Sequence, residues 1–140
     1  MTLLERRRAL IAQSKRKSKN LFDVSQVVTT ERVINNGDGT LTVNTYGANL
    51  GYLKKLCPEL KVGDTAVLSF ETESNIKYFY ISGSVKQNWH QKTPIVITQQ
   101  MLDSQIVAYC RRVGGVNYPA VISGIQLELG IVATEYEPYY

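Results

Sequence analysis

Trp89 and His90 are the only tryptophan and the only histidine of the chain, and they stand side by side in Gln87-Asn-Trp-His-Gln91, a run otherwise made of amides. An indole presents a flat apolar face, and amides and an imidazole beside it can take up hydroxyls. The run therefore has the chemistry to stack on a pyranose ring and hydrogen-bond its rim. Tyr52, Asn117 and Tyr118 fall in stretches that read as loops and can join Asn88, Trp89, His90 and Gln91 in one such site. The competing reading makes Trp89 a plug in the core of a sheet, and the residue pattern leaves both open.

Catalysis finds less support. No local motif pairs the single histidine with a serine or cysteine nucleophile. Glycoside hydrolysis needs two carboxylates at a set separation, and Asp23, Asp38, Asp64, Glu71, Glu73, Asp103, Glu128, Glu135 and Glu137 are available. Most of them stand at turns or on wet strand positions, where acids are ordinary, so no enzyme is expected. Cys57 and Cys110 lack the C-x-x-C spacing, and one histidine leaves a zinc site short of ligands. Two reduced, buried thiols are expected, with no catalytic metal and no cofactor.

The elements that must position these residues divide in two. Residues 1–19 carry Arg6, Arg7, Arg8, Lys15, Arg16, Lys17 and Lys19 against Glu5, a balance of +6, whereas residues 20–140 hold nine bases and eleven acids, a balance of −2. The basic pI thus describes a leader and not the body. Within the leader, Thr2 and Glu5 have the spacing of a capping box. Leu3, Leu4, Leu10 and Ile11 then share one side of a short amphipathic helix ending near Gln13, flanked by Arg6, Arg7 and Arg8. A helix of about a dozen residues is marginal alone, so its apolar stripe is expected to order on a partner. No apolar run approaches the roughly 20 residues of a membrane helix, and no membrane partner is expected.

From Leu21 onward short alternating runs with turn signals predict a single all-β domain over residues 20–140, a β-sandwich of about eight strands. Asn36-Gly-Asp-Gly39 marks a hairpin between strands at Glu31–Asn35 and Thr40–Tyr46. Val24–Val28 reads as a weak strand. Gly47–Leu60 shows no period, although Leu50, Leu53 and Leu56 fit one buried helical turn before Pro58. Further strands are predicted at Thr65–Glu71, Lys77–Ser82, Ile95–Ile97 and Gln105–Cys110, with a turn capped by Thr98 and a loop from Gly114 to Pro119. In Ala120–Leu129, Ile125, Leu127 and Leu129 alternate with Gln126 and Glu128, which predicts a strand with one dry and one wet face. Coming last, it must pair with strands laid down much earlier, and the tail Thr134-Glu-Tyr-Glu-Pro-Tyr-Tyr140 reads as a lid.

Read together, Asn20-Leu-Phe-Asp23, Asn36-Gly-Asp-Gly-Thr-Leu-Thr-Val43, Leu60-Lys-Val-Gly-Asp64, Leu68-Ser-Phe70, Ile97-Thr98 with Met101-Leu102, Ile125-Gln-Leu-Glu-Leu-Gly130 and Ala133-Thr-Glu-Tyr-Glu-Pro-Tyr139 resemble the carbohydrate-binding-module-like jelly rolls of bacteriophage tail and baseplate proteins. Leu4-Glu-Arg-Arg-Arg8 is similar to amino-terminal segments of some small phage structural proteins. The resemblance implies a two-sheet antiparallel jelly roll in a virion structural or accessory protein, assembled in the host cytoplasm. It also implies other virion proteins as partners and a homo-oligomer, a trimer or a ring. The alternatives are a module recognising host surface glycans and, more weakly, nucleic-acid binding through the leader. Many sugar-binding jelly rolls also hold a structural calcium, for which Asp23 and Glu128 are the candidate ligands here.

Overall fold

A computed structural model describes residues 2–8 and 17–140. Among them are eleven strands, every pair antiparallel, in two main sheets and one separate hairpin. The first sheet contains β1 (Val33–Asn35), β2 (Leu41–Val43), β4 (Thr65–Thr72), β7 (Ile95–Val96) and β11 (Ala120–Leu129), in the order β1-β2-β11-β4-β7. The second contains β3 (Ala48–Tyr52), β5 (Tyr78–Ile81), β6 (Gln87–His90) and β8 (Gln105–Ala108), in the order β3-β8-β5-β6. β9 (Arg111–Val113) and β10 (Val116–Tyr118) make the hairpin.

Alternation along the strands builds the core. Ala66, Leu68 and Phe70 of β4 and Phe79 and Ile81 of β5 are buried, together with Leu41, Ile106, Ile125 and Leu127, in one apolar cluster shared by both sheets. The rings of Phe70 and Phe79 stack with centroids 4.5 Å apart and planes 6° apart, so one sheet rests on the other through them. Burying a side chain of this size contributes about 1.5–3 kcal/mol.

The β1–β2 hairpin turns where the sequence places it. Asp38 Oδ1 accepts the Thr40 backbone N–H at 3.0 Å and its hydroxyl at 2.6 Å, while Asn36 N–H donates to Thr40 O at 3.1 Å. The Thr98 cap is also present: its hydroxyl accepts the Met101 N–H at 3.2 Å and starts the turn Gln99–Leu102. Elsewhere the pattern misled. Val24–Gln26 is a 3-10 turn instead of a strand, because the Asp23 carboxylate accepts from Ser25 N–H and bends the chain. The aperiodic stretch hides β3, whose alternation breaks at a register shift between Asn49 and Gly51, and only Leu53–Leu56 is helical. Gly114 and Gly115, at φ 57° and 79°, turn the segment expected to be a loop into the β9–β10 hairpin.

The closing strand pairs with β2 on one side and β4 on the other, as its late position requires. Its other face is not wet. Gln126 is 0 % and Glu128 4 % exposed, because the tail folds back over them. Gln126 Nε2 donates to Glu128 at 2.5 Å and to the Thr134 and Glu135 carbonyls, and its Oε1 accepts the Glu137 N–H at 2.8 Å. Glu128 accepts the Thr134 hydroxyl at 2.6 Å and the Thr134 N–H at 3.2 Å. Asn20, also buried, completes the knot: its Nδ2 donates to the Ile125 and Glu137 carbonyls and its Oδ1 accepts the Phe22 and Leu127 N–H groups. Ser18 and Lys19, which charge groups with the leader, also hydrogen-bond to the tail, at Pro138 O and at the Thr134 hydroxyl.

Residues 3–8 of the leader are helical, and Thr2 and Glu5 exchange the reciprocal hydrogen bonds of a capping box at 3.3 and 3.1 Å. Leu10 and Ile11, the second half of the expected stripe, lie outside the described residues.

Replacing Asn20 with alanine removes four hydrogen bonds to backbone groups at once, three of them buried. The expected loss is about 2–4 kcal/mol of unfolding free energy, read from a urea titration. A loss under about 0.5 kcal/mol, the size of an ordinary surface substitution, would show that the knot does not hold the fold.

Candidate functional site

β6 resolves the two readings of the indole. Its register sets Trp89 opposite Phe79 in the core, where Trp89 is 1 % exposed, and turns Asn88 and His90 outward on either side of it. The indole face is thus not presented to a ligand, because strand alternation points it inward and the facing sheet covers it. The other expected site residues are scattered. Gln91 bridges the two sheets, its Oε1 accepting the Phe70 N–H at 2.9 Å. Tyr52 is exposed beside Lys54 at the far end of β3, and Tyr118 is exposed on β10 under the Arg111 guanidinium, 5.7 Å from the ring centroid. Asn117 is tied to Tyr46, whose N–H donates to its Oδ1 at 3.2 Å.

The same alternation that buries Trp89 lifts a different set of aromatics onto the outer face of the second sheet. Tyr78 and Tyr80 alternate with buried Phe79 and Ile81 along β5. Four rings then run across the face: Tyr46 to Tyr109 at 4.7 Å, Tyr109 to Tyr78 at 5.4 Å and Tyr78 to His90 at 5.2 Å between centroids, each pair tilted by 52–56°. Asn49 and Gln105, hydrogen-bonded to each other through their side chains, and Asn88 supply amides on this sheet. Burial raises the Tyr78 hydroxyl above the usual phenol range, reinforced by a hydrogen bond with Tyr46. Burial and the nearby Tyr46 and Tyr80 raise Tyr109 likewise. The phenols therefore stay neutral and able to donate throughout the physiological range. The sequence signal was there to read: on β5 the outward positions are tyrosines where a solvated face ordinarily carries charge.

A concavity of about 1300 Å³ opens on the first sheet beside the tail. Ser69, Glu71, Lys77, Lys92, Gly124 and Tyr136 are among its walls, with acids, bases and hydroxyls intermixed. Gly124 lies in the bulge of β11 at φ 59°, and since a Cβ there would meet the Tyr136 ring at an ordinary contact distance of 3.8 Å, it is the backbone angle and not the space that favours glycine.

Other groups are engaged in holding the chain. Asp38 and Asp103 lie below the usual carboxylate range, the first through its hydrogen bonds from Thr40, the second through those from Gln99 and Lys54. The Glu128 carboxylate accepts from the tail and that of Asp23 from Ser25 and Gln26. No cluster of three or more His, Cys, Asp or Glu able to hold a metal occurs among the described residues. Cys57 and Cys110 are unbonded and fully buried. Burial pushes both thiols up, and the Glu59 and Asp23 carboxylates push Cys57 further. Fold and face thus define an antiparallel two-sheet β protein with an aromatic outer surface. No family model, curated protein or solved structure matches the chain.

Two outcomes are expected. Trp89→Ala lowers stability by about 3–5 kcal/mol. Trp89→Phe costs far less, since the indole Nε1 has no partner among the described residues to lose; equal losses would contradict the packing role. A thiol reagent at neutral pH should leave both cysteines of the folded protein unmodified and react with both in denaturant, because the reactive thiolate is suppressed and shielded. Rapid modification of the folded protein would contradict the burial of the thiols.

Proposed function

We propose that the chain is a non-enzymatic accessory protein of a bacteriophage virion, a jelly-roll module that recognises host-surface glycans and docks to the particle through its basic amphipathic leader. The carrying observation is the row Tyr46, Tyr109, Tyr78 and His90, a contiguous aromatic face on a rigid sheet with amides beside it. Aromatic rings give the apolar contact that a sugar face needs, and neutral phenols and amides satisfy its hydroxyls.

The strand order supports the jelly-roll reading. With β1 and the hairpin set aside, the eight remaining strands numbered along the chain fall as 1-8-3-6 in one sheet and 2-7-4-5 in the other, the double Greek key of that fold. The leader supports docking. Its described residues 2–8 are all exposed, with Leu3 at 69 % and Leu4 at 59 %, and Thr2 and Glu5 hydrogen-bond to each other. An apolar pair left in water beside three arginines suits a partner surface that is apolar at its centre and acidic at its rim. Assembly into a trimer or ring on the particle follows from the same leader. A purely structural role is the reading to hold if no glycan binds. Nucleic-acid contact would run through Arg6, Arg7, Arg8 and the following lysines.

Deleting residues 1–16 should leave the melting temperature of the body within a few degrees of the whole chain and abolish incorporation into particles. Incorporation of the whole chain should weaken only partly with salt, since the apolar stripe is unscreened. Complete release near physiological ionic strength, where screening acts beyond about 8 Å, would favour a purely ionic attachment. Tyr46→Ala combined with His90→Ala, both at exposed positions, should keep the fold and reduce retention on host cell-wall glycan by about tenfold or more. Unchanged retention would overturn the aromatic face as the recognition surface.

A further inference from the structure

The aromatic row does not end in open solvent. Beyond Tyr46 the chain forms a recess of about 370 Å³ lined by Glu31, Arg32, Thr45, Tyr46, Arg112 and Asn117. Two of the three arginines in residues 20–140 meet here, in a segment whose overall charge is slightly negative. Each is positioned by the backbone. Arg112 is the direct cross-strand partner of Asn117 in the β9–β10 hairpin, so both side chains leave the same face, and Asn117 pins that face to the Tyr46 N–H at 3.2 Å. Arg32 precedes β1 and touches the Gly47 carbonyl through Nη1 at 3.5 Å, which holds its guanidinium against the segment carrying Tyr46.

Neither guanidinium is neutralised. Glu31 shares the recess, but among the described residues no carboxylate lies within ion-pair distance of Arg32 or Arg112. The third arginine, Arg111, points to the other face of the hairpin and covers Tyr118. The recess therefore offers two unpaired planar forks at the end of an aromatic track. A guanidinium fork matches the paired oxygens of a carboxylate or a phosphate and has no comparable fit to a neutral hydroxyl.

We infer that the saccharide read by the tyrosine face is acidic, and that Arg32 and Arg112 select it by binding a carboxylate or phosphate group on the residue lying next to Tyr46. The inference rests on the glycan-binding reading above and adds the class of glycan. The aromatic row supplies contact common to any sugar, whereas the arginine recess supplies discrimination. Glu31 at the rim repels an anion that approaches away from the two forks, which narrows the accepted position.

The test is the binding of the whole chain to an immobilised panel of three kinds of oligosaccharide: neutral, uronate-bearing and phosphodiester-linked. Each uronate member is paired with its methyl ester. The expected result is binding to acidic members at least about tenfold tighter than to their neutral counterparts. The Arg32→Gln, Arg112→Gln double variant should lose that preference and keep the affinity for neutral members. The uronate and phosphodiester arms distinguish the two sources of charge. Equal binding of acids and esters, or a double variant that keeps the preference, overturns the inference and leaves glycan recognition standing. Binding of no member by a folded protein overturns both.

Discussion

A buried polar knot on the last strand governs how this chain closes. β11 must lie between β2 and β4, so both its edges are occupied and both its faces need cover. The inner face is apolar and meets the core. The outer face carries Gln126 and Glu128, which would cost several kilocalories per mole if buried without partners. The tail is folded over them and satisfies these groups through backbone and side-chain hydrogen bonds, while Asn20 ties the tail at Glu137 to the Ile125 carbonyl of the strand. The beginning of the body, its last strand and its terminal residues are thereby joined at one place. The first and second sheets can then rest on each other through Phe70 and Phe79 while their outer faces are left to other purposes.

Those outer faces differ. The first sheet is partly roofed by the tail, with a concavity of mixed charge beside Tyr136. On the second, Tyr46 and His90 are exposed and Tyr78, Tyr80 and Tyr109 half-buried, and the β9–β10 hairpin stands at one end, tied down by Asn117. Rigidity on the inside and aromatic exposure on the outside are what a recognition surface requires, since a preorganised face loses little entropy on binding. Residues 2–8 of the leader are exposed, while Ser18 and Lys19 at its end are bonded to the tail. In the proposed function, recognition and docking accordingly use different parts of the chain.

Much of the fold was legible in the sequence because it was written in local signals. The Asn36–Gly39 turn, the Thr98 cap and the alternation in β4, β5 and β11 each depend on neighbours a few residues away. What was hidden depended on distant ones. Gln126 and Glu128 alternate with apolar residues as a solvated face does, and only the return of the tail makes that face dry. β3 was masked by its register shift at Asn49–Gly51, and the hairpin by a glycine pair equally suited to a loop. For the candidate site, composition drew the eye to Trp89 because it is unique, yet alternation within β6 decides which residues face out. Tyr78 and Tyr80 carried the better signal in their spacing, and Tyr46 and Tyr109 joined them only through tertiary structure.

The most direct measurement is an NMR titration of the isotopically labelled whole chain with soluble fragments of host cell-wall glycan, following backbone and aromatic resonances together. Glycan recognition on the second sheet predicts saturable shifts centred on Tyr46, Tyr78, His90 and Tyr109 and extending to Arg32 and Arg112, with residues 2–8 and the lining of the larger concavity unaffected. Shifts confined to the leader or to Lys77, Lys92 and Tyr136, with the tyrosine row silent, would contradict it.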